Sequence, residues 1–246
     1  MKNLVAYITS GYPEKSFSID LALALGENGV DTLELGVPFS DPVADGPKIE
    51  LANHKALALG FKFQDLLDIS KEVAPKVDTL WMGYFNSFYQ QNMDKLIPHA
   101  KGLGVNGLII PDLPHEEALR YSQLFKDNKM SNISFVAPTD SDERIKEIVN
   151  DAQKFIYMVA YTGITGSGQA EDLQPFLSSI KTHTDTPVYV GFGVNPKTAR
   201  DKVKGADGVI VGSAFIDILL NDNLNYAQKI GECSELAKIL KSEINS

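Results

Sequence analysis

The stretch Leu33-Glu34-Leu35-Gly36-Val37-Pro38-Phe39-Ser40-Asp41-Pro42-Val43-Ala44-Asp45-Gly46-Pro47 decides how the rest of the chain is read. Its first residues continue an apolar run from Thr32 that has the composition of a buried β-strand, interrupted near its C-terminal end by Glu34. A carboxylate in that position is desolvated, which raises its pKa and suits it to general acid or base work near neutral pH. The loop that follows carries Pro38, Pro42 and Pro47 along with Gly36 and Gly46, so it is stiff, and it presents Asp41 and Asp45. A stiff loop with carboxylates positions groups as well as joining elements. The alternative is structural: Glu34 as a paired core charge, and Asp41 capping a turn before Pro42.

Outward from this segment the same unit recurs. Strand-like runs occur at Leu4–Thr9, Thr32–Leu35, Thr79–Gly83, Gly107–Ile110, Ser134–Ala137, Phe155–Val159, Val188–Val190 and Gly208–Val211. They are mostly uncharged and β-branched or aromatic, as parallel strands covered on both faces are. Helical patterns lie between them. Phe17, Leu21, Ala24 and Leu25 form one face of a helix that Gly29 ends, and Ala118, Tyr121, Leu124 and Phe125 repeat the idea. Ile145, Ile148 and Val149 mark another, and Tyr226, Ile230, Cys233, Ala237 and Leu240 the last. Eight strand–helix units of about thirty residues predict a (β/α)8 TIM barrel, with an open doubly wound sheet as the competing α/β architecture. No linker or composition break divides the chain, so a single barrel domain over residues 1–246 is expected. In a barrel, the C-terminal end of the Glu34 strand borders the active-site mouth.

Composition narrows the function. A net charge of −9 with no cluster of Lys and Arg argues against nucleic acid and against an anionic membrane surface. No segment reaches the roughly 18 apolar residues of a membrane helix, and the apolar run after Met1-Lys2-Asn3 is too short for a signal peptide, so a cytoplasmic location is expected. The single cysteine, Cys233, excludes an intrachain disulfide and reads as an inert core thiol. His54, His99, His115 and His183 are scattered, and no metal-ligand spacing is present. No strand carries a lysine placed for Schiff-base chemistry.

Two further groups attract attention. Gly191, Gly193, Gly212 and Ser213 fall just after the seventh and eighth strands, where barrels often bind phosphate through backbone N–H groups, although either glycine pair also suits a tight turn. Tyr7, Tyr84, Tyr157 and Phe192 lie at or near strand C-termini, where an aromatic side chain is usually core.

The quoted segment resembles the signature of the tryptophan synthase alpha subunit family, close to LELG-hydrophobic-PFSDP-x-ADGP. Tyr84-Phe85-Asn86, Pro111-Asp112-Leu113-Pro114-His115-Glu116-Glu117, Gly163-Ile164-Thr165-Gly166, Gly191-Phe192-Gly193-Val194 and Gly208–Ala214 resemble the family's later loops, in unbroken order over roughly residues 4 to 240. The resemblance implies a lyase that cleaves indole-3-glycerol phosphate to indole and glyceraldehyde 3-phosphate, in tryptophan biosynthesis, with Glu34 and Asp45 as the catalytic pair. It implies Tyr7, Tyr84, Tyr157, Phe192 and Ile210 as walls of an indole pocket, and Gly166 and the Ser213 hydroxyl as further phosphate contacts. The Gly- and Ser-rich run Ala160–Glu171 would be a lid whose Thr165 contacts an aspartate of the catalytic loop; the plainer alternative is a slack connection. No cofactor is expected in this chain, but a pyridoxal-phosphate-dependent beta subunit is implied as partner in an αββα assembly. Ser40–Ala44, Tyr84–Tyr89 and Pro111–Glu117 would face that partner. Ala160, Tyr161, Lys48 and Glu50 depart from the commoner pattern. The rival readings are a sugar-phosphate epimerase or isomerase on a similar barrel, and a subunit kept mainly to regulate its partner.

Overall fold

The computed structural model describes residues 1–159, 173–191 and 193–246. Its parallel strands are β1 (Asn3–Thr9), β2 (Thr32–Gly36), β3 (Asp78–Met82), β4 (Gly107–Ile109), β5 (Ser131–Asn132), β6 (Ser134–Val136), β7 (Ile156–Val159), β8 (Val188–Gly191) and β9 (Gly208–Val211). They pair in the order β5-β4-β3-β2-β1-β9-β8-β7-β6. The two ends of that order are joined by one residue. Ile133 lies between β5, which pairs with β4, and β6, which pairs with β7, and its N–H donates to Leu108 O at 2.9 Å. Among the described residues, nine strand segments therefore fill eight positions around a TIM barrel. The polar pair Ser131-Asn132 concealed the first half of the fifth strand from a reading based on apolar runs.

The expected helices cover the outside where apolar side chains recur on one face. In α1 (Lys15–Glu27), Phe17, Leu21, Ala22 and Leu25 are buried, and Gly29, at φ +104°, turns the chain out of the helix. In α12 (Tyr226–Glu243), Asn225 accepts the Gln228 N–H at 3.0 Å while the Gln228 side chain takes the Asn225 N–H at 2.9 Å, a closed capping box. Cys233 is fully buried on the core face of α12, and burial pushes its thiol up to about 12. The Ala118–Phe125 pattern is not one helix. It divides into His115–Ala118, a 3-10 turn at Leu119–Tyr121 and Ser122–Asp127. Ala118, Tyr121 and Leu124 are spaced by three, which stacks them in 3-10 rather than α geometry, and of the expected stripe Phe125 alone is fully buried.

Inside the barrel, inward side chains form layers. Val5, Leu80, Ile109, Ile133, Phe155, Tyr189 and Ile210 pack as one buried cluster. Two residues further along the same strands come Tyr7, Met82, Pro111, Phe135, Tyr157, Gly191 and Gly212, joined from β2 by Glu34. Toward the strand N-termini the interior turns polar: the Asp78 carboxylate accepts from Thr32 Oγ1 at 2.6 Å and Asn106 Nδ2 at 2.7 Å, and pairs with Lys154 Nζ at 2.7 Å. The apolar layer is thus a floor, and the layer above it faces the mouth.

Candidate active site

The upper layer borders a cavity of about 350 Å3 at the C-terminal end of the barrel, within the size range of small-molecule sites. Glu34 is buried, at 2% exposure, and lines this cavity. Its Oε1 has no hydrogen-bond partner among the described residues. Burial, and then the charge of Asp45, push the Glu34 carboxyl up to about 8. At neutral pH it mostly holds its proton, which equips it to donate that proton and take one back.

Asp45 reaches the same cavity from the loop after β2. The loop is fixed at several points. Val37 N–H donates to Met82 O at 2.8 Å, Asp45 N–H to Pro42 O at 3.0 Å, and Ala44 N–H to the Tyr84 hydroxyl at 2.9 Å. Burial pushes Asp45 up to about 6, opposed by hydrogen bonds from Tyr84 and from Asn53, whose Nδ2 lies 3.4 Å from Oδ2. The two carboxyls therefore differ: near pH 7 Asp45 is ionised while Glu34 is mostly protonated. Separated values of this kind assign acid and base roles. Asp41 takes no part in the cavity; its side chain accepts from Ser40 Oγ at 2.6 Å.

The expected aromatic walls separate into two groups. Tyr7 and Tyr157 line the cavity, with Phe135 stacked on Tyr157 at 5.0 Å between ring centroids. Burial first, then the nearby carboxylates, hold both phenols well above their ordinary value, so they remain neutral hydrogen-bond donors. Ile210 lines the cavity floor. Tyr84 stands behind the loop, stacked on Phe39 at 5.2 Å, and orients Ala44 and Asp45 instead of bordering the cavity.

The glycines also separate. Gly193, at φ +66°, lines the cavity with Gly212 and Ser213, at the start of α11 (Ser213–Leu219). Gly191 lies within β8 and is absent from the lining; a Cβ there would sit 2.2 Å from Tyr157 Cε1. Its missing side chain makes room for a tyrosine ring. Gly36 does the same for Tyr7, whose hydroxyl would be 2.3 Å from an added Cβ. Thr165, Gly166, Phe192 and the Ala160–Glu171 run lie outside the described residues.

Asn53 and Lys48 were not singled out as site residues by sequence reading. A signal for Asn53 existed: it is a polar residue at 1% exposure between the buried Ala52 and Ala56 on helix α2 (Pro47–Ala58). Lys48 pairs with Asp217 at 2.8 Å, both on the cavity lining. Among the described residues, no group of three or more His, Cys, Asp and Glu could hold a metal ion, and no helix is long and apolar enough to cross a membrane.

A family model described as tryptophan synthase alpha chain matches residues 1–245. The chain belongs to the tryptophan synthase alpha chain family. Its reaction is that of the family, a carbon–carbon lyase step that cleaves indole-3-glycerol phosphate to indole and glyceraldehyde 3-phosphate in tryptophan biosynthesis. It is 52% identical over 247 residues to the tryptophan synthase alpha chain of Wolinella succinogenes, covering 100% of this chain and 97% of that one. The Petrotoga mobilis alpha chain is 36% identical, with 98% and 95% covered. Among solved structures, the tryptophan synthase subunit alpha from Campylobacter jejuni superposes with a TM-score of 0.87 at 32% identity, covering 96% of this chain and 95% of that chain. Tryptophan synthase from M. tuberculosis in its aminoacrylate-bound form gives 0.87 at 29% identity, with 99% and 93% covered. This family membership removes the epimerase and isomerase readings.

Proposed function

We propose that Glu34 and Asp45 carry out the lyase step between them, without a cofactor in this chain. The observation that carries the reading is the buried Glu34 carboxyl on the cavity wall, lifted to about 8 beside an Asp45 that stays ionised at neutral pH. Asp45 accepts the indole N–H and stabilises the positive charge that develops when the ring is protonated. Glu34 gives its proton to indole C3. The bond from C3 to the side chain then breaks, its electron pair returns to the ring, and the side-chain hydroxyl surrenders its proton to Glu34 as the aldehyde forms. Glu34 ends as it began, protonated, so the cycle balances. Tyr7 and Tyr157 hold the ring between apolar faces, with Ile210 beneath it.

The phosphate end of the substrate fits the opposite part of the lining. The first N–H groups of α11 have no acceptor within their own helix, and Gly193, Gly212 and the Ser213 hydroxyl stand on the same lining. Phe192, Thr165 and Gly166 join this scheme by family resemblance, as pocket wall, lid contact and phosphate contact. Gly191 supports it indirectly, by seating Tyr157.

A pyridoxal-phosphate-dependent beta subunit completes an αββα assembly in this reading, in the cytoplasm. Exposed Val43 and Tyr89, on the loop and helix beside the mouth, give that partner an apolar footing. An indole-release assay tests the catalytic pair. Glu34→Gln loses nearly all turnover while still binding glycerol 3-phosphate, and Asp45→Asn loses most of it. Parental rates in both variants would sink the scheme.

A further inference from the structure

Next to Gly193, just outside the cavity lining, stands a cation that the reading above does not use. Lys202 closes the short helix α10 (Ala199–Lys202), and its Nζ lies 3.5 Å from the point that a Cβ on Gly193 would occupy. Gly193 lines the cavity. The lysine is half-buried, and among the described residues its ammonium makes no ion pair. Its neighbours behave otherwise: Arg200 pairs with Glu243 at 3.1 Å and Lys204 with Asp201 at 2.7 Å. Lys48, on the cavity lining, is already paired with Asp217. In a chain with 32 acidic and 23 basic residues, carboxylates to pair with are plentiful. A half-buried ammonium without a counter-ion is unfavourable until an anion arrives, and burial accordingly pulls Lys202 below its ordinary value.

We propose that Lys202 is the counter-charge for the substrate's phosphate, meeting the dianion held across Gly193, Gly212 and Ser213. This rests on the reading of that end as the phosphate subsite and adds a charged side chain to what was a set of uncharged donors. It also answers an electrostatic difficulty. Asp45 is ionised on the cavity wall and the Lys48–Asp217 pair adds no net charge there, so a dianion entering the cavity needs a nearby positive charge.

The test is calorimetric titration of the parent, Lys202→Met and Lys202→Arg with glycerol 3-phosphate, and separately with indole. The Met variant is expected to bind glycerol 3-phosphate about tenfold more weakly, as for loss of one charge-assisted contact. The Arg variant restores most of that affinity, and all three proteins bind indole alike. With indole-3-glycerol phosphate, KM rises in the Met variant by more than kcat falls. Parental affinity for glycerol 3-phosphate in the Met variant overturns the proposal. So does a loss of indole and glycerol 3-phosphate binding together, which would make Lys202 a scaffold residue. A parent that does not bind glycerol 3-phosphate removes the phosphate subsite itself, and the lysine's role with it.

Discussion

The hydroxyl of Tyr84 accepts the backbone N–H of Ala44 at 2.9 Å and donates to the carboxyl of Asp45, the next residue. One side chain at the end of β3 thus fixes both the path of the loop after β2 and the charge of the carboxylate that loop delivers. Its stacking on Phe39 sets the ring from the other side.

Tyr84→Phe keeps that stacking and deletes both hydrogen bonds. The Asp45 carboxyl loses a bond that holds its pKa down, so its value climbs further above 6. We expect the acid limb of kcat/KM to move to higher pH and kcat/KM at pH 7 to fall roughly tenfold. Thermal unfolding should register a loss of about 1–2 kcal/mol for the unmade bonds. An acid limb at its parental pH in the variant would contradict the link between Tyr84 and Asp45.

The two raised carboxyls set the pH profile. The proposed mechanism requires Asp45 ionised and Glu34 protonated, so kcat/KM is expected to rise through about 6 and fall through about 8. Because the pair interacts, the limbs are properties of both groups together. Asp45→Asn abolishes the acid limb in whatever activity remains. It also draws the alkaline limb down, since the Asp45 charge is the second cause of the Glu34 shift. An alkaline limb unmoved by Asp45→Asn would separate the two residues.

Glu34 also ties stability to pH. Its folded value of about 8 exceeds its ordinary value of 4.5, so between them the native state holds a proton that the unfolded chain has released. The stabilisation from that proton is complete below 4.5 and is lost as pH rises through about 8, at about 1.4 kcal/mol per pH unit in the interval. Urea melts of the parent from pH 5 to pH 8 should therefore decline relative to those of Glu34→Gln, which carries no titrating group there. Parallel curves for the two proteins would mean that Glu34 is solvated in the native state.

Gly191 and Tyr157 show where sequence reading reaches and where it stops. The order of strands, the inward Glu34 and the buried Cys233 follow from residue type and period, because burial imposes them locally. Whether a glycine's empty side is used by a ligand or by a neighbouring ring depends on interstrand register, here the pairing of Val159 with Gly191. Nothing in Gly191-Phe192-Gly193 separates its two glycines, yet one seats Tyr157 and the other borders the cavity. Tyr84 was legible as an aromatic at a strand end. Its role as a brace depends on where a loop returns after Pro42, which no periodicity encodes.

That contact predicts a coupled pair of substitutions. Gly191→Ala places a Cβ 2.2 Å from Tyr157 Cε1, and overpacking of this kind costs about 1–3 kcal/mol. Tyr157→Ala removes the ring and leaves a cavity. The double variant should be more stable than the sum of the two losses, since the added methyl then enters space already vacated. Additive losses in a thermal double-mutant cycle would deny the contact.

The polar layer beneath the apolar floor should support stability without touching turnover. Asp78 collects Thr32, Asn106 and Lys154 around one carboxylate, and these partners outweigh its burial and lower its pKa. A lowered value stabilises the fold above the ordinary value of 3.8, and that contribution is lost as pH falls through the folded value. Asp78→Ala leaves the Lys154 ammonium and two side-chain donors without their acceptor, so a loss of about 2–4 kcal/mol is expected near pH 7. Lys154 itself adopts φ +61°, a conformation that strains any side chain but glycine's. Lys154→Gly forfeits the same ion pair but releases that strain and leaves Asp78 with two hydrogen bonds, so it should cost less than Asp78→Ala. Both variants should keep the parental kcat at temperatures where they remain folded, because the apolar floor of Val5, Leu80, Ile109 and Phe155 separates this polar layer from the mouth. A large fall in kcat in folded Asp78→Ala would show that the lower layer reaches Glu34 through that packing.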